Sequence, residues 1–107
     1  MTQQKAAAPG VGAAAKLSYT ELFEELLKVL RAVTHNTGIT KDEHLHATPR
    51  LGLVTTVANQ SVALTFNARP KIKAVALKIT THDVGSSDTV GELLSLAWGK
   101  LPSANKK

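Results

Sequence analysis

The sequence predicts a small two-layer α+β domain with a helix at each end of a β-rich centre. Apolar residues recur at helical spacing in residues 18–35 and again in residues 89–101. Between these segments, apolar and smaller residues alternate from Val62 to Phe66, which is the period of a strand. We therefore expect an N-terminal helix, two or three central strands and a C-terminal helix.

The chain has 107 residues, which is the usual length of one domain. Residues 1–16 are rich in Ala, Gly and Pro and show no apolar periodicity, so they predict a flexible tail. Residues 17–101 predict a single globular domain, and residues 102–107 predict a basic tail.

The first helix has a clear start signal. Ser18 and Glu21 have the spacing of a capping box, in which the hydroxyl and the carboxylate each accept a backbone N–H. The residues that follow place one broad apolar face on the helix. They are Leu22, Phe23, Leu26, Leu27, Leu30 and Val33. Asn36 or Gly38 is expected to end the helix.

The centre of the chain is open to two interpretations. Residues 51–57 and 61–66 flank Ala58-Asn59-Gln60, which would form the turn of a hairpin. Residues 71–80 fit a helix and a third strand equally well. The alternative fold is a four-helix all-α domain, in which residues 54–67 and 71–80 are both helical.

The last helix is expected to begin at Asp88 or Thr89, with Glu92 in its first turn, and to end near Gly99 and Pro102. Its apolar residues keep helical spacing. Four of them form a candidate interface for a partner protein or a second copy of the chain. They are Val90, Leu94, Trp98 and Leu101.

Several short motifs occur in an order that resembles the layout of acyl carrier proteins, over roughly residues 18–101. They are a first helix, Gly38-Ile39, Leu51-Gly52-Leu53 and Thr89-Val90-Gly91-Glu92-Leu93. Carrier proteins have an Asp-Ser-Leu whose serine receives a phosphopantetheine arm, whereas the corresponding stretch here is Val54-Thr55-Thr56. The central segment is also longer, and carrier proteins are typically acidic. The resemblance therefore implies at best a degenerate relative that is not modified.

The net charge of +5 comes from the two ends, because residues 1–16 and 100–107 contain lysines and no acidic residue. Residues 17–99 are neutral overall, but within them residues 44–82 contain basic residues and no acid. An acid-free basic stretch is typical of contact with phosphate groups. It is equally typical of a solvated surface that keeps a small protein soluble.

The candidate binding residues lie in this acid-free stretch. They are Arg50, Arg69, Lys71, Lys73 and Lys78. The competing interpretation is that these cations pair across the fold with acids of the first helix. Those acids are Glu21, Glu24 and Glu25. Aromatic side chains for base stacking are scarce, so backbone or protein contact is favoured over sequence-specific recognition of single strands.

No pattern of catalytic, metal-binding or cofactor-binding residues is recognisable. The chain has no cysteine, and His44 and His46 offer two metal ligands without a third. His82, Asp83, Ser86 and Ser87 have the residue types of a hydrolytic triad. Triad members normally come from separate elements, so these neighbours predict turn and capping residues instead. We expect no enzyme activity, no metal, no cofactor and no small-molecule substrate.

These observations predict a non-catalytic binding or assembly protein. The expected partner is acidic, and nucleic-acid backbone is the leading candidate because of the basic stretch. The alternative is a protein–protein adaptor, chaperone or oligomeric structural protein whose positive charge is incidental. No stretch is long and apolar enough for a bilayer span, so we expect a soluble intracellular protein without membrane contact.

Overall fold

A computed structural model of the chain describes residues 15–107. Within this range there are five α-helices, one short 3-10 helix and, apart from two isolated bridges, no strand or sheet. The helices are α1 (Tyr19–Thr34), α2 (Thr56–Asn67), α3 (Pro70–Ala74), α4 (Thr81–Ser86) and α5 (Val90–Lys100), followed by the 3-10 helix Ser103–Asn105.

The predicted α+β fold is therefore wrong, and the four-helix alternative is closer to the structure. The expected hairpin over residues 51–66 is replaced by α2, whose N-cap Thr55 accepts the backbone N–H of Ala58. Val62 and Phe66 are four residues apart and both buried, as on one side of a helix, whereas Leu64 between them is 60% exposed. A single exposed leucine thus gave this helix the alternating pattern of a strand.

Residues 71–80 form no strand, and only their first part is helical. The helix α3 covers only Pro70–Ala74, and the chain then turns at Ala76, whose φ is 55°. From Leu77 the backbone is extended until Thr80, the N-cap of α4. The Asn67 side chain holds this extended stretch, since its amide oxygen accepts the Ile79 N–H at 2.9 Å and its nitrogen donates to the Ile79 carbonyl at 2.8 Å.

The two helices predicted at the ends of the domain are present. In α1 the capping box of Ser18 and Glu21 is formed, and the helix ends at His35 in the left-handed conformation. In α5, Thr89 is the N-cap and accepts the N–H of Glu92. Packing follows their apolar faces: α1 lies against α2 and α5, and α2 also lies against α4.

The long connection between α1 and α2 is part of the core. It has no regular secondary structure, yet it contributes four buried side chains. They are Ile39, Leu45, Leu51 and Leu53. Backbone hydrogen bonds tie the connection to the start of α5, from Leu45 N to Asp88 O at 2.9 Å and from Gly91 N to Lys41 O at 2.8 Å. The connection therefore packs beside the start of α5 as an ordered part of the domain.

The two ends of the described chain lie side by side. Leu17 N donates to Asn105 O and Lys107 N donates to Leu17 O, both at 2.9 Å. Of the tail predicted for residues 1–16, residues 1–14 lie outside the described residues. The segment predicted as a basic tail, 102–107, contains the 3-10 helix and contacts the start of α1.

Candidate binding surface

Three of the five predicted binding cations form ion pairs with carboxylates of the same chain. Arg50 lies against Glu43, with Nη2 2.9 Å from Oε1. Lys71 Nζ is 3.8 Å from the carboxylate of Glu21 in α1. The third is Arg69, and two of the three partners are among the α1 acids named above as the competing partners. Much of the positive charge of this stretch is therefore neutralised by ion pairs within the chain.

The ion pair of Arg69 is the most buried. Its Nε donates to Glu25 Oε1 at 2.9 Å, and Glu25 is only 2% exposed. Burial alone would raise the pKa of Glu25, but the hydrogen bonds from Arg69 and Lys28 outweigh burial and hold the pKa below its usual value. Glu25 is therefore charged in the core, and Arg69 fastens the junction of α2 and α3 to α1.

The other two candidate cations are exposed. Lys73 lies on α3, and Lys78 lies on the extended stretch before α4. Neither forms an ion pair with another residue in the range 15–107. The backbone carbonyl of Lys78 accepts Lys100 Nζ at 3.4 Å, so a second ammonium group lies close to this stretch. Of the five predicted binding residues, these two lysines are the ones that the described residues leave exposed and without an ion pair.

The outer face of α2 is a second candidate surface, which the sequence did not single out. The helix Thr56–Asn67 contains no charged residue. Val57 is 72% exposed and Leu64, seven residues later, is 60% exposed on the same side of the helix. Val54, just before the helix, is 63% exposed. The run of eighteen residues without charge, 51–68, was the signal in the sequence that could have found this face.

A shallow pocket lies at the C-terminal end of this face. It has a volume of about 430 Å³ and is lined by Leu64, Thr65, Ala68, Arg69 and Pro70. The lining combines apolar side chains, one hydroxyl group and one guanidinium group. The pocket therefore joins the exposed apolar side chains of α2 to the arginine held by Glu25.

The candidate interface on α5 faces inward. Val90, Leu94 and Leu101 are buried in the chain's own core. Trp98 is partly buried, with its ring packed edge-on against Tyr19 at a centroid distance of 5.5 Å. The ammonium group of Lys106 lies over the Trp98 ring, 4.8 Å from its centroid. This side of α5 is thus already covered by contacts within the chain.

The polar residues that resemble a triad cap helices. Asp83 accepts the N–H of Thr80, whose hydroxyl accepts the N–H of Asp83, so together they form a capping box at the start of α4. Ser87 Oγ donates to the Asp83 carbonyl at 2.8 Å. His82, on the same helix, is exposed. These contacts hold the short α4 in place and assemble no nucleophile with a base.

His44 and His46 lie in different environments. His44 is exposed and forms an isolated bridge with Thr89. The ring nitrogens of His46 contact two backbone carbonyls, Nδ1 with Leu53 at 2.5 Å and Nε2 with Ser87 at 2.9 Å. Among residues 15–107, no three histidine, aspartate or glutamate side chains are grouped so that they could hold a metal ion. His46 joins the long connection to the segment before α5.

Comparison with known proteins finds no family model that matches the chain, and no significant match among curated proteins or solved structures. The resemblance to acyl carrier proteins stays one of layout. In the stretch that corresponds to their modified serine, the Thr55 hydroxyl is the N-cap of α2. None of the described helices is long and apolar enough to cross a membrane.

Proposed function

We propose that this protein is a non-catalytic docking module that binds a partner protein through the outer face of α2. The observation that carries the proposal is a charge-free helix with Val57 and Leu64 exposed on one side. Protein interfaces are depleted of charged residues at their centre, and apolar side chains supply the contact there. Elsewhere in residues 15–107, the large apolar side chains other than Val54 are buried or partly buried.

The ion pairs favour a protein partner over nucleic-acid backbone. Contact with a duplex backbone needs several unpaired cations, because affinity grows with the number of counterions that they displace. Arg50, Arg69 and Lys71 each have a carboxylate partner in the chain. Lys73 and Lys78 alone make a small site for a duplex, so binding to nucleic acid is the second candidate and is tested alongside the first.

The test is affinity capture from an extract of the source cells, with the wild-type protein and two variants. Leu64→Asp places a charge at the centre of the α2 face. Ser95→Asp adds the same charge at an exposed position of α5 and is the matched control. We expect a set of proteins that wild type and Ser95→Asp retain, that Leu64→Asp loses, and that nuclease treatment leaves unchanged.

Two outcomes overturn the proposal. One is retention of the same proteins by wild type and Leu64→Asp, with both variants folded by circular dichroism. The other is retention that disappears after nuclease treatment and is weakened by the double variant Lys73→Gln/Lys78→Gln. That second outcome supports the nucleic-acid candidate. A neutral variant of Arg69 is unsuitable for this purpose, because it would leave the buried Glu25 without its main partner.

A further inference from the structure

Arg69 is fixed in orientation by a buried acid. Glu25 uses Oε1 to accept Arg69 Nε at 2.9 Å, and its Oε2 lies 3.3 Å from Lys28 Nζ. Because Glu25 is 2% exposed and packed in the core, it holds the guanidinium plane in a defined place. An arginine side chain normally loses much rotamer freedom when it binds a ligand. Arg69 has already lost part of that freedom, so binding costs less conformational entropy.

The hydrogen bond to Glu25 uses Nε and leaves the two terminal nitrogens of the same guanidinium group available. Within residues 15–107, Nη1 and Nη2 of Arg69 make no hydrogen bond, and the side chain is 33% exposed. The residue lines the pocket beside Leu64 and Thr65. Two terminal nitrogens of a fixed arginine match the two oxygens of a carboxylate in a bidentate pair.

Charge complementarity indicates the kind of partner. Residues 44–82 contain no acidic residue, and the exposed Lys71 and Lys73 follow Arg69 on α3. A second copy meeting this face with its own α2 face would bring two Arg69 side chains together, and residues 44–82 would offer their terminal nitrogens no carboxylate. A different chain that carries acids beside apolar side chains satisfies both halves of the surface.

We infer that the α2 face takes an amphipathic segment of another protein, whose apolar side chains cover Val57 and Leu64 and whose carboxylate binds Arg69. This inference rests on the proposed function and specifies its partner. Arg69 is the residue that sets specificity, because a carboxylate gains two charge-assisted hydrogen bonds there and an amide does not. Glu25 is a positioning residue that acts through Arg69.

The first experiment selects peptides from a random library displayed on phage, with the full-length protein as the target and Leu64→Asp as the counter-target. We expect the selected peptides to combine Asp or Glu with Leu, Ile, Phe or Trp, and to lose binding to Leu64→Asp. Apolar peptides without acids overturn the inference and leave the proposed function standing. Failure to select any peptide that Leu64→Asp loses counts against both.

The second experiment assigns the acid to Arg69. The best selected peptide and its Glu→Gln or Asp→Asn analogue are titrated against wild type, Arg69→Lys and the matched control Arg50→Lys. Wild type and Arg50→Lys should prefer the acidic peptide by about tenfold, as expected for a charge-assisted pair. Arg69→Lys keeps a cation for Glu25 but loses the fork, so the preference should shrink towards unity.

An unchanged preference in folded Arg69→Lys would place the acid on another cation and overturn the assignment. Amide shifts in a ¹H–¹⁵N spectrum give an independent location. Perturbations centred on Thr65, Ala68 and Arg69 support it, whereas perturbations confined to α5 contradict it.

Discussion

The helices α1 and α2 pack against each other and yet use their apolar residues in different ways. In α1 the apolar side is buried, and acids and bases occupy the rest of the helix. In α2 apolar residues lie on both sides, with Phe66 buried and Leu64 exposed, and charge is missing altogether. The apolar side chains of α1 therefore serve the core, whereas α2 also carries exposed apolar surface that packing within the chain does not use.

The largest expected effect comes from changing two residues of α2 that are only two positions apart. Phe66→Ala removes a fully buried ring and should lower the free energy of unfolding by about 3–5 kcal/mol. Leu64→Ala removes an exposed side chain and should change it by less than about 0.5 kcal/mol. Urea unfolding followed by circular dichroism measures both.

This pair also tests the helix itself. In a strand, positions 64 and 66 would lie on one face, so both substitutions would be costly or both would be mild. Similar losses for the two variants would therefore contradict the helical structure of this segment and the exposed face built on it.

A smaller effect is expected where α1 and α2 are joined by charge. Arg69→Ala leaves the buried Glu25 with Lys28 as its remaining partner and should cost about 2 kcal/mol. Arg50→Ala, which frees the more exposed Glu43, should lower the free energy of unfolding by much less, because solvent screens a surface ion pair. Equal losses for the two variants would show that the Arg69 pair is no more important than a surface pair.

The smallest effect should appear at acid pH and be confined to the α1 side. The hydrogen bond from Lys107, followed by that from the Ser18 N–H, lowers the pKa of Glu21 from 4.5 to about 2. The pKa of Glu25 is also lowered, despite its burial, by Arg69 and Lys28. A lowered pKa in the folded state means stability that is present above the unfolded value and is lost as pH falls through the folded value.

The free energy of unfolding should therefore fall as the pH is lowered from about 4.5 towards about 2, the window set by the Glu21 pKa. Protonated Glu25 can still hydrogen-bond its partners, so this loss should be milder than that of Arg69→Ala. Glu25→Gln should flatten the pH profile. An identical profile in wild type and Glu25→Gln would contradict the role of Glu25.

Sequence periodicity predicted the helices whose apolar residues all lie on the buried side. The apolar spacing and the Ser18–Glu21 box predicted α1, and the spacing from Val90 to Leu101 predicted α5. For α2 the same reasoning failed, because exposed Leu64 mixes with buried Val62 and Phe66 and mimics the period of a strand. The short α4 was missed because Thr80 and Asp83 form a capping box with aspartate in place of the usual glutamate.

For the candidate site, the sequence named cations but could not say which of them would be paired. Arg69 and Glu25 are 44 residues apart, and only the packing of α2 against α1 brings them together. The exposed face of α2 was hidden by the strand interpretation, since a hairpin would have placed Val62, Leu64 and Phe66 on one buried side. The error in secondary structure and the omission of the surface thus have one cause, the exposed leucine.

The two ends of the described chain lie close enough to be joined covalently. Because Leu17 exchanges backbone hydrogen bonds with Asn105 and Lys107, a peptide linkage joining these ends would close the backbone into a ring with little disturbance. New ends could then be opened in the exposed stretch 47–50 of the long connection. Such a circular permutant would keep α1 beside α2.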